Sequence, residues 1–450
     1  MKNDFMREKP VLSLVLSMSL PMTLSMLVNS LYNIVDSYFV ARISEAAMTA
    51  LSLVYPLQIL TTAVGVGLGI GLNAAASYYL GAKQNDEANR TASAGVILSI
   101  IHGILLTVFC LLAVPHFLRL FTQDECIIQH GMTYSLIVFA FCVPHSLGIA
   151  FEKIFQAEGQ MVISMISMLG GCIANIILDP ILIFGTPFIP AMGITGAAVA
   201  TGIGQTLPIL IYLFFYRTKP LPIKLVFRRN TLDRRLCKRI YSISVPAAIT
   251  IALPSVLITV LNGILAAFSQ SYVLILGIYY KLQTFIYLTT SGIVQGIRPI
   301  IGYNYGAKEY ARVRAIFATA LKLTLGVMTI GTMICLFFSD ALIGLFTTTP
   351  DTIKAGGEAL RIISCGFIVS AVSVTISGTL EGLGQGMDSL KISLLRYIIT
   401  IIPLSLLLSR IFGPVGVWYS FGLSEAVTSL AAVWIYHRVK LRTFSAGYQG

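Results

Sequence analysis

Residues 11–40 read VLSLVLSMSLPMTLSMLVNSLYNIVDSYFV and contain a single charged side chain, Asp36. A helix needs about 20 consecutive apolar residues to cross the hydrocarbon core of a bilayer. This stretch is long enough to cross with a tilt or a bend, and Pro21 marks the place where a bend is expected. The segment therefore predicts a membrane-spanning helix.

Eleven further apolar runs of similar length follow along the 450 residues of the chain. Hydrophobic residues make up 56% of the sequence and charged residues 11%, whereas soluble proteins carry about 25% charged residues. This composition excludes a soluble globular protein and predicts an all-α polytopic membrane protein with twelve transmembrane helices. The predicted spans are 11–39, 48–79, 92–116, 127–151, 161–184, 193–216, 241–268, 272–302, 313–338, 356–379, 388–410 and 414–437.

The two halves of the chain match each other at one constant offset, the separation between Pro21 and Pro246. Several matches on this repeat offset indicate an internal duplication, so the twelve helices form two pseudo-symmetric six-helix bundles related as parallel repeats. We predict an N-terminal lobe at 1–216, a basic linker at 217–240 and a C-terminal lobe at 241–450. The other matches are 81–83 (GAK) with 306–308, 120–122 (LFT) with 345–347, and 159–160 (GQ) with 384–385.

Basic residues concentrate in alternate loops and above all in the linker, which sets the expected orientation. By the positive-inside rule, the linker and both termini lie in the cytoplasm. The net charge of +12 is then explained by membrane topology, and we expect no nucleic-acid partner. The basic residues of the linker are Arg217, Lys219, Lys224, Arg228, Arg229, Arg234, Arg235, Lys238 and Arg239.

Two carboxylates interrupt the apolar spans of the N-terminal half, Asp36 in the first span and Asp179 in the fifth. Their counterparts in the second repeat are Leu261 and Leu404. An acidic residue inside a span costs a few kcal/mol (roughly 2.5–3.5 on insertion scales) and is functional by default. A duplicated scaffold explains features that both halves share, but it does not explain these two, which we interpret as functional residues.

Polar side chains accompany both carboxylates at helical spacing. Tyr32 and Asn33 share a helix face with Asp36, and Asn175 lies one turn before Asp179. Buried carboxylates beside an amide can hold a proton, or they can bind Na⁺ through their oxygen atoms. The residues leave this choice open, and they also leave open a purely structural role in helix-end hydrogen bonding.

The other motifs indicate neither an enzyme nor a metalloprotein. There is no Walker motif, and the seven Cys and five His show no metal-ligand spacing, so we expect no metal and no cofactor beyond the coupling ion. The Gly-rich stretch 65–71 (GVGLGIG) lies in an apolar run and indicates close helix packing or a bend. The role of four basic residues in or near the C-terminal spans is left open; they are Lys281, Arg298, Arg361 and Arg396.

Short motifs spread over essentially the whole chain resemble those of the multidrug and toxic compound extrusion (MATE) family, and within it the MepA-like bacterial branch. They are YNIVD at 32–36, GAK at 81–83, NIILDP at 175–180, GITGAAVAT at 193–201, GYNYGAK at 302–308 and EGLGQG at 381–386. The resemblance implies two six-helix lobes in a V shape and a monomer in the plasma membrane of a bacterium. It also implies a secondary active antiporter that exports organic, mostly cationic or amphipathic drugs in exchange for H⁺ or Na⁺ by alternating access.

The resemblance further implies roles for single residues. Asp36 matches the coupling acid of the first span, and its partners are Tyr32, Asn175, Asp179 and Thr201. The residues assigned to the helix bend or the substrate cavity are Pro21, Asn33, Tyr134, Asn262 and Gln283. Two departures matter: the seventh span lacks the acid that some branches carry, and Arg298 stands where many relatives have a neutral residue.

Two alternatives belong to other functional classes. A flippase for a lipid-linked precursor would have a more cationic central cavity, which the basic residues of the C-terminal half could supply. An intramembrane prenyl transferase would need paired DxxxD carboxylates for Mg²⁺ near the membrane surface, whereas Asp36 and Asp179 are single and lie late in outward-running spans.

Overall fold

The structure of the chain is a computed structural model that describes residues 5–227 and 231–445. This part of the chain is almost entirely helical, and its extended backbone pairing is one isolated bridge between Thr186 and Ile189. The helices are α1 (Phe5–Glu8), α2 (Val11–Ala41), α3 (Glu45–Gly81), α4 (Asn85–Phe121), α5 (Glu125–Ala140), α6 (Cys142–Ala157), α7 (Met161–Phe184), α8 (Ile194–Thr218), α9 (Arg234–Ala266), α10 (Gln270–Gly306), α11 (Tyr310–Phe337), α12 (Ser339–Gly344), α13 (Pro350–Gly382), α14 (Gly386–Leu394), α15 (Ile401–Phe412) and α16 (Pro414–Ser445). A π-helical segment, Leu395–Thr400, joins α14 to α15.

Every predicted span coincides with a helix or with a pair of consecutive helices. In the described part of the chain, ten helical segments are long and apolar enough to cross a membrane, with α14, the π-helical segment and α15 forming one of them. Taken together, α5 and α6 are also long and apolar enough to cross a membrane, with a bend of 45° between them. The last predicted span corresponds to α16, which has 32 residues but is more polar than those ten segments. The all-α polytopic fold is therefore confirmed.

Prolines explain the two irregular spans. Pro144 lies in the first turn of α6 and has no N–H to donate to the preceding turn, so the fourth span breaks at Phe141. Pro403 lies in the first turn of α15, directly after the π-helical segment, and removes the donor that would bond to Ile399. The wider π-helical turn accommodates this interruption without ending the helix.

The backbone has the same conformation at equivalent positions of the two repeats. Lys83 and Lys308, which occupy equivalent positions in the two repeats, both adopt positive φ, at 58° and 62°. Gly159 and Gly384 share φ values of 76° and 78°. Left-handed backbone is uncommon for lysine, so its recurrence at equivalent positions shows that the duplicated segments fold the same way.

The chain divides into two compact units. The N-terminal unit comprises residues 24–248, and the C-terminal unit comprises residues 5–23 together with 249–445. The division falls inside α2 and α9, so each of these helices contributes residues to both units. The predicted lobe boundaries at 216 and 241 stay a prediction.

Each unit has its own apolar core. The core of the N-terminal unit includes Leu106, Tyr134 and Phe139, and the core of the C-terminal unit includes Phe367 and Trp418. Large apolar side chains are also exposed along the spans, which is the arrangement that a lipid environment stabilises. The Gly-rich stretch 65–71 packs closely as predicted, since a Cβ at Gly67 would lie 2.8 Å from the backbone nitrogen of Ala248.

The linker is part of the N-terminal unit, and side chains of other segments of this unit accept hydrogen bonds from its backbone. Ile223 N–H donates to Glu158 Oε1 at 2.7 Å, and Lys224 N–H donates to Asn89 Oδ1 at 2.7 Å. Arg228 and Arg229 of the predicted basic cluster, like Met1 to Asp4 at the N-terminus, lie outside the described residues. The orientation of the termini stays a prediction.

Glu158 makes this contact sensitive to pH. It lies in the turn between α6 and α7, and burial raises its pKa to about 8, although the hydrogen bond from Ile223 acts in the opposite direction. The unfolded chain releases this proton near pH 4.5, the ordinary value, so the folded protein holds a proton that the unfolded one has lost. Stability from this group is therefore largest at low pH and is lost as pH rises from about 4.5 towards 8.

We expect Glu158→Gln to reduce the pH dependence of thermal stability. Glutamine keeps an oxygen acceptor for Ile223 N–H but does not ionise. In detergent, raising the pH from 5.5 to 8.5 should lower the Tm of the unmodified protein through this group by about 5 °C, and the variant should lose most of that difference. Asp86→Asn, an exposed acid in the first turn of α4, serves as the control. Equal pH dependence in the Glu158 variant and the unmodified protein would contradict the assignment.

Candidate ion-coupling site

The site begins with the close packing of α7 against α8. A Cβ at Gly171 would lie 2.4 Å from the carbonyl oxygen of Gly204, so only glycine allows this approach. Small residues at such contacts let helix backbones come together in a membrane. The packing brings Asn175 and Asp179, one turn apart on α7, next to Thr201 in the first half of α8.

An amide links the two helices. With its side-chain amide oriented by hydrogen bonding, Asn175 Nδ2 donates to Asp179 Oδ2 at 3.0 Å, and its Oδ1 accepts from Thr201 N–H at 3.2 Å. All three residues are buried, and Asp179 is 0% exposed. The carboxylate of Asp179 is therefore held in one position by its neighbours.

The second half of α2 adds the other carboxylate. Asp36 is buried, and its carboxyl group lies within hydrogen-bonding contact of Asp179. Tyr32, one turn earlier, lies beside both carboxyl groups. Two buried carboxylates in contact repel each other unless a proton or a cation is shared between them.

Oxygen atoms in the cluster remain free to bind such a cation. Asp36 Oδ1, Asp179 Oδ1 and Thr201 Oγ1 are buried and make no hydrogen bond with any described residue. Buried polar atoms are normally paired, so three free oxygens in one cluster are a feature to be explained by function. Carboxylate and hydroxyl oxygens suit both H⁺ and a hard cation such as Na⁺.

Tyr134 on α5 also belongs to the cluster, and its hydroxyl contacts a residue that the sequence analysis did not identify. Gln58 Nε2 on α3 donates to the Tyr134 hydroxyl at 3.2 Å, and this hydroxyl lies beside Thr201. Gln58 is a polar residue inside an apolar span, and that was the signal that could have identified it.

Four predicted residues lie outside this cluster. Asn33 is exposed, and its Nδ2 donates to Asn29 O of its own helix at 2.7 Å. Pro21 lies within the continuous helix α2, in the part that belongs to the C-terminal unit. Asn262 is half-buried on α9, and Gln283 lines a cavity in the C-terminal unit. Their roles stay predictions.

The C-terminal unit contains no equivalent carboxylate pair at the matching positions. Leu261, the counterpart of Asp36, is fully buried in the apolar core, and Leu404 is the counterpart of Asp179. The two acids therefore distinguish the N-terminal unit from its repeat in the structure as well as in the sequence.

The four basic residues whose role the sequence left open all have partners; they are Lys281, Arg298, Arg361 and Arg396. Lys281 lies over the ring of Phe346, with its Nζ atom 5.7 Å from the ring centre. The three arginines form ion pairs, which neutralise much of the positive charge that a flippase cavity would use. The pairs are Arg298–Glu381 at 2.7 Å, Arg361–Asp340 at 2.8 Å and Arg396–Glu425 at 3.1 Å.

Glu425 is a second residue that the sequence reasoning missed. It is an acid within the last predicted span, and its counterpart in the first repeat is Ala200. The same test that singled out Asp36 and Asp179, an acid in an apolar run without a partner in the repeat, would have identified it.

Twelve predicted spans, an internal duplication and one buried carboxylate cluster define a duplicated polytopic membrane protein. The MatE family model matches residues 21–181 and again residues 246–407, so the chain belongs to this family. The two matches begin at Pro21 and Pro246, the paired prolines that define the repeat offset.

Individual relatives agree with this assignment along the whole chain. The chain is 26% identical over 440 residues to the multidrug export protein MepA of Staphylococcus aureus (strain MSSA476), covering 97% of this chain and 96% of the relative. It is 24% identical over 439 residues to MepA of Staphylococcus haemolyticus (strain JCSC1435), with the same coverage. The crystal structure of MATE in the bent conformation is similar with a TM-score of 0.92, 21% identity and 99% coverage of both chains. The predicted membership of the MATE family, in its MepA-like branch, is confirmed.

Proposed function

We propose that the protein exports organic, mostly cationic or amphipathic drugs from a bacterium by antiport against H⁺ or Na⁺. It would act as a monomer in the plasma membrane, with both termini in the cytoplasm. The observation that carries the proposal is the pair of buried carboxylates, Asp36 and Asp179, in contact with each other in the N-terminal unit. Export by the MepA relatives supports the substrate class.

The carboxylate pair suits competitive coupling. Without a shared cation, the two negative charges repel each other and favour any arrangement that separates them or neutralises them. A proton or Na⁺ between them removes the repulsion and favours close packing of α2 against α7. Ion entry from outside can in this way drive the change that releases the drug and returns the protein to its inward-facing state.

A fixed amide and hydroxyl frame adds selectivity for small cations. Asn175 holds Asp179 in place, while the free oxygens of Asp36, Asp179 and Thr201 supply the ligands. This frame serves H⁺ and Na⁺ alike, so either ion fits the proposal. The paired arginines of the C-terminal unit provide no specific support for a lipid-linked anionic substrate.

The proposal is tested by ion release from purified protein upon addition of ethidium, an organic cation. In weakly buffered detergent solution, ethidium should release H⁺, detected with a pH dye, or should displace bound ²²Na⁺. Asp36→Asn is the matched control and should release neither ion. Ethidium binding that releases neither H⁺ nor Na⁺ from the unmodified protein would overturn coupling at this site.

A further inference from the structure

The C-terminal unit contains a partly open cavity of about 360 Å³ between α9, α10, α13, the π-helical segment, α15 and α16. Its walls are mainly apolar and aromatic, with Tyr280, Tyr287, Phe367 and Tyr397 among the lining residues. A volume of this size is typical of small-molecule sites, which combine apolar walls with a few polar groups. All of its lining residues belong to the C-terminal unit, so the cavity is separate from the cluster around Asp36.

Two opposite charges line this cavity. Arg396 Nη2 lies 3.1 Å from Glu425 Oε2 and also donates to the hydroxyl of Ser373. The two charged side chains are only 11% and 17% exposed. Arg396 Nε and Glu425 Oε2 nevertheless lack a hydrogen bond of good geometry with any of the described residues. Glu425 Oε2 is therefore engaged by Arg396 through the ion pair alone, and Arg396 Nε remains as a donor at the cavity wall.

The local helix geometry is specialised to place these groups. Arg396 and Tyr397 lie on the π-helical segment, and π-helical turns occur frequently at functional sites. Ser424 Oγ donates to Arg396 O at 3.2 Å and is paired with the Thr400 hydroxyl at 2.7 Å, which ties the segment to α16. The distorted turn is thus held in place by specific contacts.

The ion pair is an addition of the second repeat. The counterparts of Arg396 and Glu425 in the first repeat are Gly171 and Ala200. The small Gly171 allows α7 and α8 to pack closely in the N-terminal unit. At the matching place in the C-terminal unit, two large charged side chains face a cavity instead.

Packing alone does not account for a pair of this kind. Moving two charges out of water costs several kcal/mol for each ion, and apolar residues of similar volume are often as stable or more stable. A single cation or a single anion in the cavity would also leave one of the two charges in excess. A ligand with both charges would complement both groups at once.

We propose that this cavity binds an aromatic zwitterion whose carboxylate and ammonium groups are carried on neighbouring atoms, as in an aromatic α-amino acid. The ligand carboxylate accepts from Arg396 Nε, the ammonium donates to Glu425, and the aromatic body lies among the tyrosines. The close approach of Arg396 and Glu425 requires that the two charges of the ligand also lie close together. This assignment rests on the proposed function only for the expectation that a bound compound is carried across the membrane.

The test compares three compounds that share an indole ring, using purified full-length protein in detergent and isothermal titration calorimetry. Tryptophan is a zwitterion, tryptophan methyl ester is a cation and N-acetyltryptophan is an anion. We expect tryptophan to bind at least about 10-fold more tightly than either derivative, a difference of about 1.4 kcal/mol. Equal affinity for all three compounds, or no binding of tryptophan, would overturn the proposal.

Variants at the pair should change the charge preference in opposite directions. Arg396→Met leaves Glu425 and should favour the methyl ester, whereas Glu425→Gln leaves Arg396 and should favour N-acetyltryptophan. Since removing one member of a buried pair can destabilise the fold, the double variant Arg396→Met with Glu425→Leu provides a neutral, well-packed reference. It should lose the preference for tryptophan, and retention of that preference would contradict the assignment.

Two controls separate this site from others. Arg361→Gln with Asp340→Asn removes an exposed ion pair of the same unit and should leave tryptophan binding unchanged. Asp86→Asn should also leave it unchanged, because Asp86 is an exposed residue of the N-terminal unit. Loss of tryptophan binding in either control would overturn the assignment to this cavity. If ethidium releases neither H⁺ nor Na⁺ from the unmodified protein while tryptophan binding is intact, the proposed antiport alone fails.

Discussion

Asp36→Asn is expected to abolish drug efflux while leaving the amount of protein in the membrane unchanged. Asparagine has nearly the same shape and can still hydrogen-bond to Asp179, but it cannot take up a proton or supply a negative charge for Na⁺. Ethidium efflux from energised cells should fall to the level of cells without the protein, a loss of at least about 100-fold in transport rate. This loss corresponds to about 2.7 kcal/mol in the activation free energy of transport.

Two measurements make this result interpretable. Immunoblotting of membranes checks that the variant is present in normal amount, and Asp86→Asn, an exposed acid in the first turn of α4, should transport normally. Normal ethidium efflux in the Asp36 variant would show that the carboxylate cluster does not couple ion entry to export. Equal loss in the Asp86 variant would point to a general effect of lost negative charge.

Gly171→Leu is expected to cause the second largest loss, through packing. Even the Cβ of a new side chain would lie 2.4 Å from the carbonyl oxygen of Gly204, which is backbone and cannot rotate away. The helices α7 and α8 must then separate, and this movement carries Asn175 and Asp179 away from Thr201. Overpacking of this kind costs about 1–3 kcal/mol, and more where the backbone is hit.

We expect the Gly171 variant to lose at least about 10-fold in ethidium efflux and to unfold about 5 °C lower in detergent. Both effects share one cause, so they should appear together. Gly326→Leu on α11 is the matched control, because a Cβ there meets nothing within 4 Å. Unchanged efflux and stability in the Gly171 variant would show that close packing of α7 and α8 is not needed to hold the site.

The positions of the spans could be predicted because the bilayer imposes a strong local requirement on the chain. Every backbone polar group inside the membrane must be paired, so a long apolar run such as 11–40 has to form a helix. The break at Phe141 was harder to predict, since α5 and α6 together form one apolar run that turns through 45°. Pro144 was the only local sign of it, and prolines inside other helices of this chain cause no such break.

The candidate site was predictable in part. Asp36 and Asp179 stood out because the repeat provides an internal control for each position. Glu425 was overlooked although the same reasoning applies to it. Gln58 has a glutamine counterpart in the repeat, Gln283, so only its polarity inside an apolar span could have identified it. Tyr32 lies beside the carboxylates, whereas its neighbour Asn33 is exposed. The sequence could not predict this difference, because it depends on which face of α2 packs against α7.

By itself, the sequence determined the class of fold, the duplication at one constant offset and the presence of two acids without counterparts in the repeat. These are properties of short segments, and hydropathy and helical periodicity act on them locally. Only the tertiary structure decided that Asp36 meets Asp179, which lies four spans further along the chain, and that Arg396 meets Glu425 at the wall of a cavity. Such partnerships depend on which helix faces pack together, and that is settled by the combined fit of side chains from several helices.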